Sequence, residues 1–140
     1  MPFATNMRVR FLVSGLAFFS VAIVLATLPV VAQGGGTPPA CTITGTSGAD
    51  LLTGTSGPDV ICGYGGSDII TAKGGADIVR GGKGVDTIYG DAGSDHLYGG
   101  PGNDKIYARD AVRDYIFGGT GWDYARDDDP EDVLHSIESH

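Results

Sequence analysis

The sequence predicts an all-β solenoid of stacked nine-residue units, each a glycine-rich turn followed by a short strand. Three observations predict it. Aspartate recurs every nine residues at Asp50, Asp59, Asp68, Asp77, Asp86, Asp95 and Asp104. Two residues after each stands an aliphatic residue: Leu52, Ile61, Ile70, Val79, Ile88, Leu97 or Ile106. Two residues before each stands a glycine: Gly48, Gly57, Gly66, Gly75, Gly84, Gly93 or Gly102. Three positions holding one register over seven units define a tandem repeat. A unit this short cannot bury an apolar face by itself, but stacking unit upon unit does.

Residues 1–32 lie outside this pattern. Arg8 and Arg10 precede an almost wholly apolar stretch from Phe11 to Val31, and Val30 and Ala32 form a small-residue processing site before Gln33. This predicts a secretory signal peptide over 1–32, cleaved after Ala32. The stretch is also long enough to span a bilayer as an uncleaved anchor, the one membrane contact the sequence offers. Pro29 breaks such a helix just before the processing site. Residues 33–40 (QGGGTPPA) read as a flexible Gly/Pro-rich linker. The chain carries a formal charge of −8, from 17 acidic and 9 basic residues, and loses two of the basic ones with the leader. Such acidity excludes nucleic acid as a partner and points to a solvated acidic surface or to bound cations. With 24 glycines, composition alone would allow disorder; the order of the residues argues for a fold.

The array is expected over 41–126. Cys41 and Ile43 hold the aspartate and aliphatic positions of a first, partial unit. The full units are GTSGADLLT, GTSGPDVIC, GYGGSDIIT, AKGGADIVR, GGKGVDTIY, GDAGSDHLY and GGPGNDKIY. Next, ARDAVRDYIF has one extra residue and no glycine; the phase then resumes with Asp114, Asp123 and Asp132, nine apart, and with the unit GGTGWDYAR. In each unit the glycines permit positive φ and close backbone approach. The last three residues set one apolar side chain between two outward ones, the alternation of a strand. Residues 127–140 pass through an acidic turn into Val133-Leu134, a last strand expected to cap the stack.

GGKGVDTIY and GGPGNDKIY match the pattern G-G-x-G-x-D-x-U-x at every fixed position, and the match recurs in tandem from about Thr42 to Arg126. In this the sequence resembles the haemolysin-type calcium-binding repeats of RTX proteins, and the whole chain is similar to short secreted actinobacterial proteins that bind calcium. The resemblance implies a right-handed parallel β-roll with two units per turn, so that units eighteen residues apart lie one above the other. It implies Ca2+ between stacked loops, bound by the second and fourth carbonyls of one loop, the first and third of the other, and both sixth-position aspartates. Carried over, one site comprises Tyr64, Gly66 and Asp68 with Gly81, Lys83 and Asp86, only the aspartates using side chains. The same rule pairs Asp50 with Asp68, Asp68 with Asp86, Asp86 with Asp104, Asp59 with Asp77, and Asp77 with Asp95. Two further pairs, Asp95 with Asp114 and Asp104 with Asp123, span the inserted residue. The Asp114 loop also lacks the glycines that would turn its carbonyls inward, so Asp114 is the weakest ligand of the set.

Ligand chemistry agrees: six oxygens of mixed carboxylate and carbonyl type suit calcium better than magnesium or zinc. The plainer alternative, aspartates that only cap turns, would leave like charges stacked roughly 5 Å apart. One apolar residue per unit is also a small core against the entropy of ordering the array, so the chain is expected to fold as it binds several calcium ions.

Cys41 and Cys62 lie on stacking units and, in an exported chain, are candidates for a disulfide; their sixth and ninth positions leave the geometry open. Tyr89 with Tyr107, and Tyr98 with Phe117, stand at outward ninth positions and predict cross-strand stacking, a ligand-binding stripe being the alternative. Leu51, Val60, Ile69 and Ile78 make the early outward positions apolar, as a partner surface or through strand propensity. Neither a nucleophile motif around the histidines nor a phosphate loop or zinc motif appears. The expectation is a secreted, non-enzymatic calcium-binding β-roll with a structural or interaction role, its partner a cell-surface or matrix component. The alternative is an accessory module or small hydrolase acting on an extracellular polymer.

Overall fold

A computed structural model describes residues 37–127 and 129–138. The leader expected over 1–32 and the linker residues 33–36 lie outside the described residues. The described chain is all β: β1 (Ile43–Thr44), β2 (Leu51–Thr53), β3 (Val60–Gly65), β4 (Ile69–Thr71), β5 (Ile78–Lys83), β6 (Thr87–Tyr89), β7 (His96–Pro101), β8 (Lys105–Tyr107), β9 (Tyr115–Thr120), β10 (Tyr124–Arg126) and β11 (Val133–His135). Odd-numbered strands form one sheet in the order β1-β3-β5-β7-β9-β11, and even-numbered strands form the other, β10-β8-β6-β4-β2. Every pairing is parallel. Each coil therefore takes two nine-residue units, one strand per sheet, which is a parallel β-roll of about five turns.

Register follows the repeat. Ile61 pairs with Val79, and Val79 with Leu97, in one sheet; Leu52, Ile70, Ile88 and Ile106 pair in succession in the other. Because strand side chains alternate, the middle residue of each triplet points inward and its neighbours outward. The inward residues meet between the sheets as two rows, with Ile61, Ile70, Val79, Ile88, Leu97, Ile106 and Ile116 all fully buried. Ala72 and Ala108 fill the space beside them, and Ile43, Ala125 and Ile137 close the ends of the cluster.

After Ile106 the register shifts by one: Leu97 pairs with Ile116 and Ile106 with Ala125, nineteen residues apart. Loop 108–114 absorbs the extra residue, with Ala111 in the left-handed region at φ 60°. In neighbouring loops the fourth-position N–H bonds the third-position carbonyl one coil on, as Gly75 does with Ala92 and Gly84 with Pro101, each at 2.9 Å. Gly93 instead donates to the Asp110 carboxylate, a side chain doing the work of a carbonyl in the loop that has no glycine.

Outward side chains stack at about the coil spacing. Tyr89 and Tyr107 lie 5.0 Å apart between ring centroids, Tyr98 and Phe117 4.9 Å, Phe117 and His135 4.9 Å, and His96 and Tyr115 4.7 Å. Near the start of the roll, a disulfide joins Cys41, just ahead of β1, to Cys62 in β3.

Since each inward residue touches only its own coil and the next ones, core damage should be local but costly. Ile88→Ala should lower the stability of the calcium-saturated protein by about 2–5 kcal/mol in chemical denaturation. Ile69→Ala, at a half-exposed outward position of the same sheet, should cost less than about 1 kcal/mol.

Candidate metal centres in the stacked loops

The loops that carry the chain from one sheet to the other bring the aspartates into two rows. Asp50, Asp68, Asp86, Asp104 and Asp123 run along one edge; Asp59, Asp77, Asp95, Asp114 and Asp132 run along the other. Within each row, Oδ1 of one aspartate accepts the backbone N–H of the aspartate one coil earlier. Asp68 accepts from Asp50 and Asp86 from Asp68 at 2.8 Å, Asp77 from Asp59 at 2.7 Å, and Asp95 from Asp77 at 2.9 Å. The contact repeats up the roll, across the inserted residue as well, with Asp114 accepting from Asp95 at 2.8 Å and Asp123 from Asp104 at 2.9 Å.

The second oxygen is the notable one. Oδ2 of Asp68, Asp77, Asp86, Asp95, Asp104, Asp114, Asp123 and Asp132 is buried and has no hydrogen-bond partner. Buried polar atoms are nearly always satisfied, and a carboxylate oxygen left bare costs more than a neutral one. Burial accordingly raises the carboxyls of Asp77, Asp86 and Asp132, and pushes those of Asp95 and Asp104 to about 6 and that of Asp114 to about 7. The N–H bond at Oδ1 works against burial, while neighbouring aspartates of the same row add to the rise in most cases.

Backbone oxygens gather beside these orphans. A Cβ on Gly63 would lie 2.4 Å from Asp68 Oδ2 and 2.3 Å from the Gly81 carbonyl oxygen, so only glycine leaves both oxygens room. The second loop position is left-handed in Tyr64, Lys73 and Asp91, at φ 72°, 78° and 61°, as well as in Gly82, Gly100 and Gly119. A non-glycine residue held there is uncommon, and such strain concentrates at binding sites. Of the six residues expected to share a site, all fall on two stacked loops. Gly81 O lies beside Asp68, Asp86 Oδ1 holds the Asp68 N–H, and Lys83 O accepts the Gly66 N–H at 2.8 Å. The Tyr64 and Gly66 carbonyls face Gly82 and Gly84, where a Cβ would come within 2.3 and 1.7 Å of them.

Among the described residues, no three carboxylate, imidazole or thiolate groups converge on one point. A centre here must draw on carbonyls, a donor set that suits calcium and leaves little for zinc. The orphaned Oδ2 atoms, the glycine cradles and the all-oxygen donors fit that ion.

The ends of the rows differ from the middle. Asp50 and Asp59 have their Oδ2 atoms satisfied by Thr46 and Thr55. Thr55 donates both its N–H and its hydroxyl, and these bonds hold the Asp59 carboxyl below its usual range. At the far end Asp132 Oδ1 accepts the Asp114 N–H at 2.8 Å, and Glu138 Oε2 accepts that of Asp123 at 3.1 Å. Asp114, for which the glycine-free loop promised little, sits in its row like its neighbours, only 1% exposed. The spacing of Asp114, Asp123 and Asp132 points to Asp132; nothing in the sequence points to Glu138, fifteen residues from the aspartate it serves.

A family model described as the RTX calcium-binding nonapeptide repeat (4 copies) matches the chain over residues 44–79 and again over 71–106. No curated protein and no solved structure gives a significant match.

The raised carboxyls set a pH dependence. Between about pH 4 and pH 7 the folded, calcium-free chain holds protons that the unfolded chain, with ordinary aspartates, has released. Stability of that form must therefore fall as pH rises through the window. In chelator, β circular dichroism and Tm should be higher at about pH 5 than at about pH 7.5. With calcium the order should reverse, because protons and the ion compete for the same oxygens. A chelated sample better folded at the higher pH would contradict the burial of these groups.

Proposed function

We propose that the chain, which carries RTX calcium-binding nonapeptide repeats over residues 44–106, is a secreted protein whose β-roll folds as calcium enters between stacked loops. Its role is structural or interactive, outside the cell, with a cell-surface or matrix component as partner and no reaction of its own. The observation that carries this reading is the double row of buried Oδ2 atoms without hydrogen-bond partners.

Calcium supplies these oxygens with the positive charge and coordination that no protein group gives them. The chain's own residues do the rest. Strand register brings successive aspartates one coil apart, and the Oδ1 bond to the previous N–H fixes each carboxylate's orientation. Left-handed second and fourth positions turn the loop carbonyls toward the neighbouring loop. Asp68 with Asp86, Asp86 with Asp104, and Asp77 with Asp95 are the central pairs, with the Tyr64, Gly66, Gly81 and Lys83 carbonyls serving the first.

Several features support folding on binding and action outside the cell. Without the ion, the buried carboxylates are a standing penalty on a fold whose core is one apolar residue per unit. Calcium modules of the extracellular kind bind at about 10⁻⁴–10⁻³ M, so such a chain stays loose at cytosolic calcium and folds after export. The basic and apolar leader over 1–32 gives the route, and the Cys41–Cys62 disulfide suits an oxidising compartment.

A calcium titration followed by circular dichroism and calorimetry tests the proposal. Native protein should gain most of its β signal on adding calcium and bind several ions. Asp68→Ala with Asp86→Ala should bind fewer and unfold at lower temperature, both variants in full-length protein. Full β signal in chelator, or a double variant with unchanged ion uptake and Tm, would reject the reading.

A further inference from the structure

We infer that Thr46 and Thr55 keep the first two loops free of calcium, so that loading begins at Asp68 in one row and at Asp77 in the other. The inference rests on the calcium reading above and decides which loops it covers. By glycine spacing alone both early loops qualify, since GTSGADLLT and GTSGPDVIC carry their glycines and aspartates in register with the later units. The second loop position separates them.

In these two loops a threonine takes the place the ion has elsewhere. Asp50 Oδ2 accepts the Thr46 N–H at 2.6 Å and its hydroxyl at 2.9 Å. Asp59 Oδ2 accepts the Thr55 N–H at 2.7 Å and its hydroxyl at 2.9 Å. Each threonine Oγ1 also accepts the N–H two residues on, from Gly48 at 3.1 Å and from Gly57 at 3.2 Å, which locks the turn. Thr42 Oγ1 also lies 3.4 Å from Asp59 Oδ1, beside the Val60 carbonyl oxygen at 3.2 Å. The oxygen that stands bare in the later loops is capped in these two.

Backbone conformation says the same independently. From Tyr64 to Gly119, second positions are left-handed in every loop but the one that holds the insertion, whereas Thr46 and Thr55 are not. A β-branched residue resists that region more than most, because its Cβ substituents crowd the neighbouring carbonyl. The two arrangements exclude each other: either the second-position N–H caps Oδ2, or the position turns over and Oδ2 is free. Thr46 and Thr55 select the first. The same stretch carries the Cys41–Cys62 disulfide and the bond from the Val60 N–H to Thr42 Oγ1 at 3.0 Å, so protein groups alone hold this rung. It is a ready-made template on which calcium-dependent coils stack.

The test uses full-length protein with its disulfide intact. In chelator, the Thr46 and Thr55 amides should be protected from hydrogen exchange while amides of later loops, such as Gly84 and Gly102, exchange freely. Calorimetry should find that Thr46→Gly with Thr55→Gly binds about two more calcium ions than native protein, through loops freed to turn over. The converse change, Tyr64→Thr, should remove about one. If native protein takes up calcium but neither variant changes the number bound, the inference is wrong and the calcium reading stands. Early-loop amides that become protected only when calcium is added would overturn it too. If native protein takes up no calcium at all, the calcium reading itself fails and this inference falls with it.

Discussion

The structure depends on one divided carboxylate. From Asp68 to Asp132, each repeat aspartate spends one oxygen on the backbone N–H of the aspartate a coil earlier, and turns the other into a buried space where no protein donor waits. The first contact is a ladder bond of ordinary strength, and it ties the coils together at both edges of the roll. The second is a liability that a cation removes, or a proton at low pH. Register, loop shape and glycine placement follow from keeping both oxygens in position.

This division also explains why so small a core suffices. Two rows of mostly Ile, Val and Leu, one residue per strand, fill the space between the sheets, and the loops contribute almost no apolar area. In most domains the core selects the fold and polar groups adjust to it. Here the rows of isoleucine hold the sheets apart at the right distance, while the aspartate edges decide whether the coils close. The stacked rings of Tyr98, Phe117 and His135 add cross-strand contact on the outer face, in the column that Thr44, Cys62 and Arg80 begin. Leu51, in the first strand of the other sheet, is 74% exposed at the start of the roll.

Much of this was legible in the sequence because a strict period converts position into geometry. Once Asp68 and Asp86 stand eighteen residues apart in a two-unit coil, their stacking follows, as does the inward row of Ile61, Val79 and Leu97. What could not be read off is where side chains replace the pattern. Glycine spacing made Asp114 look poorly placed, yet Asp110, from the irregular loop itself, supplies the acceptor that a carbonyl gives elsewhere. Thr46 and Thr55 stand where the consensus has its second glycine, and their effect on Asp50 and Asp59 appears only with the hydrogen bonds in view. Glu138 breaks the period entirely and reaches its row from the shortened loop that follows β11.

These departures share a cause. An aspartate inside a row has a neighbour on each side, one taking its N–H and one presenting its own, but a row must end, and at each end one member has no partner. A stacked array that stopped there would offer a bare edge to solvent or to another chain. The early end meets this with threonine hydroxyls, main-chain N–H groups and a covalent link between Cys41 and Cys62; the late end meets it with Asp132 and with a glutamate long enough to reach back. Irregular residues therefore gather where translational symmetry fails. The repeat can vary freely at its open positions in the middle of the array, where the ion and the neighbouring coils enforce geometry. At the ends, side chains must supply that geometry instead.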